Sequence, residues 1–154
     1  MKLSTKGRHA ITAMMELALR QNEGPVTLAD ISVEQSISVS YLEQLFARLR
    51  NHGLVTGMRG PGGGYCLRKP AEEITIAEIL TAVDDAMPAR RERIPGEEWP
   101  RSVIMWNRLS EHIYDYLDHL TLADAVSETG VAGAHDGDKR DEAGFGSDLR
   151  QSAA

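Results

Sequence analysis

The chain has 154 residues, 42% of them hydrophobic, with a mean hydropathy of -0.32 and a formal charge of -6. That length suits one domain, or one domain with an added interaction helix; no apolar run nears the roughly 20 residues needed to cross a bilayer, and the start, MKLSTKGRHA, lacks the apolar core of a signal peptide. A single cysteine excludes an intramolecular disulfide, and with no export signal the expected location is the cytoplasm.

Ser4 or Thr5 caps a first helix expected to run to about Gln21, with Ala10, Ala13, Met14, Leu17 and Ala18 as its apolar stripe. Lys2, Lys6 and Arg8 cluster at its start, where cations oppose the helix dipole. They point either to an outside anion such as a phosphate or to ordinary solvated side chains. NEGP, residues 22–25, is a turn. Thr27-Leu-Ala-Asp30 resembles a capping box with Asp in place of Glu, and opens a short helix through about Gln35. Residues 36–39 turn into a third helix, about 40–51. Leu42, Leu45, Phe46 and Leu49 recur there at helical spacing and define a buried face. Ser40, Glu43, Gln44 and Ala47, short or hydrogen-bonding groups, lie opposite. Ser38 and Ser40 are both candidate N-caps, and Gly53 is placed to end the helix.

Residues 54–58 then read as a strand and 65–67 as its partner, with RGPGGG, Arg59 to Gly64, between them. Glycines after a proline make a tip with little side chain, able to approach another backbone closely. Residues 1–69 carry nine Lys and Arg against five Asp and Glu, a balance of +4, whereas residues 70–154 carry eight against eighteen, or -10. The basic half therefore coincides with a polar-faced helix followed by a β-hairpin wing. That combination suits groove and phosphate contact on DNA. The glycine tip lacks the Gly-Lys-Ser/Thr of a phosphate-binding nucleotide loop and sits between strands rather than before a helix.

Past the wing, Lys69-Pro70 ends the returning strand. Thr75 caps a helix over about 76–85, with Ile76, Ile79, Leu80 and Val83 inward. Residues 87–100, rich in proline and charge, form a loop, and Pro100 suits the first position of a long helix ending near His119. Trp99, Trp106, Ile113 and Leu120 recur every seven residues, with Leu109 and Tyr116 between them, in the manner of a short coiled-coil seam. The seam packs either on its own domain or on a second copy; the winged helix already has a core, which favours the copy. Thr121 starts a final turn, and the glycine, alanine and charge beyond Gly130 predict a disordered tail. The expected organisation is a DNA-binding unit over 1–85, a loop over 86–99, a dimerisation helix and terminal turn over 100–129 and the tail over 130–154.

SVSYLEQLFARLRNHGLV followed by RGPGGGY closely resembles the IscR-type family of bacterial winged-helix, iron–sulfur-responsive transcription regulators. The likeness runs from MKLSTKGRHAITAM through ADIS at Ala29 to about Val83, and beyond that in pattern rather than identity. It implies a mainly α fold: a winged helix-turn-helix with a two-stranded β-wing and a long C-terminal dimerisation helix. It also implies a homodimer on double-stranded, pseudo-palindromic operator DNA, and a repressor of iron–sulfur cluster assembly genes. The expected DNA contacts are Ser38, Ser40, Tyr41, Glu43, Gln44, Arg59 and Gly60. Gln44 can pair with adenine, Ser40 with a base edge or phosphate, and Tyr41 with phosphate, while Arg59 suits the minor groove. Glu43 accepts only from cytosine N4 and discriminates against other bases; the family's glutamate at the matching position gates specificity in this way. The expected dimer contacts are Trp106, Leu109, Ile113, Tyr116 and Leu120.

In the family, three loop cysteines and a histidine near the start of the long helix hold a [2Fe–2S] cluster. Residues 84–100 contain neither Cys nor His, and Val103 falls at the matching histidine position. The standard ligand set is missing, so a cluster is expected only through non-standard ligands. Cys66, on the wing strand, is the one thiol candidate; its other reading is a small buried hydrophobe. No nucleophile motif or HExxH metal motif occurs, so no enzyme is expected. The alternatives to an iron-linked repressor are a winged-helix regulator with another signal and a protein–protein interaction module.

Overall fold

A computed structural model describes residues 3–85, 95, 96 and 98–135. Among these are six α-helices and a single two-stranded antiparallel sheet. Helix α1 (Thr5–Leu19) starts on Ser4, whose Oγ accepts a hydrogen bond from the Gly7 N–H at 3.0 Å. Helix α2 (Leu28–Gln35) starts on Thr27, which accepts from the Asp30 N–H at 3.1 Å, and stops at Ser36, held left-handed at φ 53. Helix α3 (Val39–Asn51) resolves the choice of cap: Ser38 accepts from the Tyr41 N–H at 3.3 Å, and Ser40 is left exposed in the first turn. Its end is the expected glycine stop. Gly53 sits at φ +72, and the N–H groups of Gly53 and Leu54 donate back to the Arg50 and Leu49 carbonyls, both at 3.0 Å.

Strands β1 (Val55–Met58) and β2 (Gly64–Leu67) pair with Val55 opposite Leu67 and Met58 opposite Gly64. A short 3-10 turn, Ala71–Glu73, leads to α4 (Ile76–Val83). There Thr75 and Glu78 form a complete capping box: the Thr75 hydroxyl accepts from the Glu78 N–H, and the Glu78 carboxylate accepts from the Thr75 N–H. Burial alone would raise the Glu78 carboxyl, but the Thr75 N–H and the Lys69 ammonium at 2.9 Å together hold it below its ordinary range. The long helix α5 runs Arg101–His119, with Pro100 as the residue before its first turn rather than inside it.

Phe46, Met14, Leu17, Ile31, Leu42, Leu45, Leu49, Leu54, Ile74, Ile79, Leu80 and Leu122 are the largest fully buried side chains and form one cluster. Leu122 belongs to the last helix, α6 (Leu122–His135). The chain thus returns from α5 to complete the core of its own first half. Backbone bonds fix that return: Ile76 N–H donates to the Leu120 carbonyl at 2.9 Å and Leu122 N–H to the Ile74 carbonyl at 2.8 Å. Helix α6 also continues to His135, past the expected boundary at 130; residues 136–154 of the expected tail, and 86–94 and 97 of the expected loop, lie outside the described residues. No described helix is long and apolar enough to cross a membrane.

Candidate nucleic-acid interface

Helix α3 buries Leu42, Leu45, Phe46 and Leu49 and turns Ser40, Glu43, Gln44 and Ala47 to solvent. Arg50 and Asn51 are exposed as well, which extends the polar surface to the end of the helix. These two lie past the stretch singled out from the sequence, although continuing the same 3.6-residue period from Ala47 reaches them. Ser38 spends its oxygen as acceptor in the cap, but its hydroxyl hydrogen remains for an outside acceptor. Tyr41 is half-buried, with its ring edge-on to His9 of α1 at 5.5 Å between centroids. Next to this helix, α1 and α2 are braced by Gln35 Nε2 donating to Glu16 at 3.0 Å and by Arg20, which reaches Glu34 at 3.1 Å and Glu16 at 3.6 Å.

Two contacts of Tyr65 help hold the wing to this body. Phe46 of α3 packs on Tyr65 of β2 at 4.8 Å between ring centroids. Tyr65 also exchanges both backbone bonds with Val26, N–H to O at 2.8 and 3.0 Å, just before the Thr27 cap of α2. That second attachment explains Gly64. Its φ is +153, and a Cβ there would stand 2.5 Å from the Val26 carbonyl oxygen. The close backbone approach foreseen for this glycine run is therefore an internal one at Gly64. Arg59 and Gly60 sit exposed at the tip, away from that contact. Of the cations at the start of α1, Arg8 is exposed and Lys6 half-buried; Lys2 lies outside the described residues.

Helix α5 buries none of its residues completely. Val103, Asn107, Ser110, Tyr114 and Leu117, spaced at three and four, form a half-buried stripe. On other flanks Met105, Trp106, Leu109 and Tyr116 are exposed, Trp106 by 59% and Tyr116 by 67%, and Ile113 is half-buried. Leu120 does not continue this face. It follows the helix in extended conformation and packs on the core of its own chain, because the backbone bond from Ile76 pulls it inward.

Cys66 is half-buried rather than buried. It lies on the wing face that also carries Met58, with Sγ 4.0 Å from the Met58 sulfur. A [2Fe–2S] cluster takes about four thiolate or imidazole ligands. No group of three or more His, Cys, Asp or Glu that could hold a metal ion comes together among the described residues, and residues 86–94 contribute no Cys or His to the donor set. The residues present do not fit the cluster.

Comparison with known proteins agrees with this geometry. The family described as Rrf2, iron-dependent transcriptional regulator, matches residues 3–128. An HTH-type transcriptional regulator IscR from Erwinia tasmaniensis is 50% identical over 131 residues, which covers 82% of this chain and 79% of that protein. Among solved structures, IscR of T. potens superposes with a TM-score of 0.73 at 35% identity, over 86% of this chain and 90% of that one. CymR, the global cysteine regulator of B. subtilis, superposes at 0.72 with 38% identity, over 83% and 98%.

Proposed function

The chain belongs to the Rrf2 family of iron-dependent transcriptional regulators, and from that premise we propose that it is a cytoplasmic homodimer that represses iron–sulfur cluster assembly genes in response to iron or cluster status. Two copies of α3 enter successive major grooves of a pseudo-palindromic operator, and the two wings bring Arg59 to the flanking minor grooves. Ser38, Ser40 and Tyr41 position the helix on phosphates, while Glu43 and Gln44 read bases. The exposed apolar side of α5, with Trp106, Leu109, Ile113 and Tyr116, meets its two-fold mate. The observation that carries the reading is the solvent-facing polar surface of α3 fixed to the same body as a wing with an exposed arginine tip.

The test is a gel shift on cluster-assembly promoter DNA against a scrambled duplex at rising salt. The reading requires selective binding that weakens as salt increases. No binding at low salt, or equal binding to both duplexes, overturns it and favours a protein–protein interaction module. A second reading, a regulator with another signal, draws on the likeness to CymR and on the donor set that does not fit a cluster. Visible absorption and iron and sulfide content of protein made without oxygen separate the two: a brown, iron-loaded protein supports the iron-linked reading through non-standard ligands.

A further inference from the structure

Arg48 stands apart from Arg50, the other cation of α3. Its Nη1 donates to the Val83 carbonyl at 3.3 Å and to both carboxylate oxygens of Asp85 at 3.0 and 3.1 Å. Val83 ends α4, so one arginine of the recognition helix satisfies a carbonyl at a helix C-terminus, where a cation is favoured. Asp85 is engaged less well. Both of its oxygens share a single nitrogen, whereas the strong arginine–carboxylate geometry uses two parallel N–H donors. The pair is also open to water, with Arg48 41% and Asp85 81% exposed, and exposed pairs of this kind are weak. Arg48 follows Tyr41 by seven residues, two helical turns, and so lies on the same flank of α3. That flank borders the base-reading surface, where the sugar–phosphate walls of a groove stand when the helix is inserted.

We propose that Arg48 is a phosphate-binding residue of the recognition helix, and that Asp85 is its intramolecular stand-in for phosphate, occupying the guanidinium until DNA displaces it. The proposal rests on the DNA-binding reading above. Val83 keeps the guanidinium in place while the acceptor is exchanged. Phosphate is the better partner because it can take the parallel donors that Asp85 leaves unused. Asp85 therefore lowers affinity for every DNA sequence alike, and carries no base information.

The experiment is a double-mutant cycle on the full chain, with operator and scrambled duplexes titrated across a salt series. Wild-type protein that binds neither duplex overturns the DNA-binding reading itself. Given wild-type binding, Asp85→Asn should tighten both duplexes by about two- to thirtyfold, the span of two weak exposed pairs, one in each subunit. Arg48→Ala should weaken both and reduce the salt slope by about one per subunit. In the Arg48→Ala background, Asp85→Asn should change nothing. An Asp85→Asn gain that persists without Arg48 overturns the proposal in favour of simple charge removal. An Asp85→Asn loss overturns it in favour of a structural clasp. Should Arg48→Ala melt early, Arg48→Gln takes its place in the cycle, keeping the stem and removing the charge.

Discussion

Helices α3 and α5 carry apolar residues at the same kind of spacing, yet they end in different surroundings. Leu42, Leu45, Phe46 and Leu49 of α3 vanish into the core of their own chain. Trp106, Leu109 and Tyr116 of α5 remain in water, and no residue of that helix is fully buried. Periodicity establishes that a helix has an apolar side, and says nothing about what covers it. For α3 the cover is local, supplied by α2, α4 and the wing. For α5 the proposed cover is a second copy.

Protein concentration is the variable that tells these two covers apart. Ile113→Asp should have the largest effect. Each copy loses about 1.5–3 kcal/mol of apolar burial, and a two-fold interface counts the loss twice. The dimer should dissociate at least about a hundredfold more readily, with a matching loss of operator affinity, as read by sedimentation and titration. A mutant that stays dimeric and binds normally would place the α5 face against its own subunit. Phe46→Ala should cost about 3–5 kcal/mol of stability. Its deficit in chemical denaturation should be the same at every protein concentration; a concentration-dependent deficit would mean that the cover of α3 also depends on a second copy.

Smaller changes sharpen the polar side of the comparison. Gln44→Ala should cost about 1–3 kcal/mol on the best operator and almost nothing on scrambled DNA, if its amide pairs with a base. Equal losses on both would reduce Gln44 to a general contact. Glu78→Gln should cost least, about 0.5–1 kcal/mol, by weakening the α4 capping box and the Lys69 pair. Because the folded carboxyl titrates below its ordinary value of 4.5, its contribution is complete above that pH and disappears as the pH falls through the lower folded value. Wild type and mutant should therefore converge in acid melts.

What was legible in the sequence follows the range of the forces involved. The starts of α1, α2 and α4 each depend on a Ser or Thr bonding three residues ahead, and all three could be read locally. So could the α3 face and its glycine stop. The extent of α6 was not foreseen, although TLAD occurs at both 27–30 and 121–124 and opens a helix each time. At the second copy the box is reciprocal: Thr121 N–H donates to the Asp124 carboxylate and Asp124 N–H to the Thr121 hydroxyl, both at 3.1 Å. The expected DNA-contact side chains of α3 and the wing proved solvent-facing, apart from half-buried Tyr41, because their pattern is again local. Leu120 packs partly on its own core beside a backbone bond from Ile76, which a seven-residue repeat cannot reveal. Arg48 with Asp85, and Gly64 with Val26, join residues far apart in the chain, and nothing in either neighbourhood announces the other.

The pairing of Val26 with Tyr65 bears on the entropy of recognition. A two-stranded hairpin is only marginally ordered by itself in water. Stitched to the residue just before α2 and stacked on Phe46, this one has its base immobilised before any DNA arrives. The cost of ordering a flexible arm at the moment of binding has then largely been met during folding. On the proposed DNA-binding reading, a wing anchored at its base would set the reach from α3 to Arg59, and the complex would then respond to groove spacing as well as to base identity.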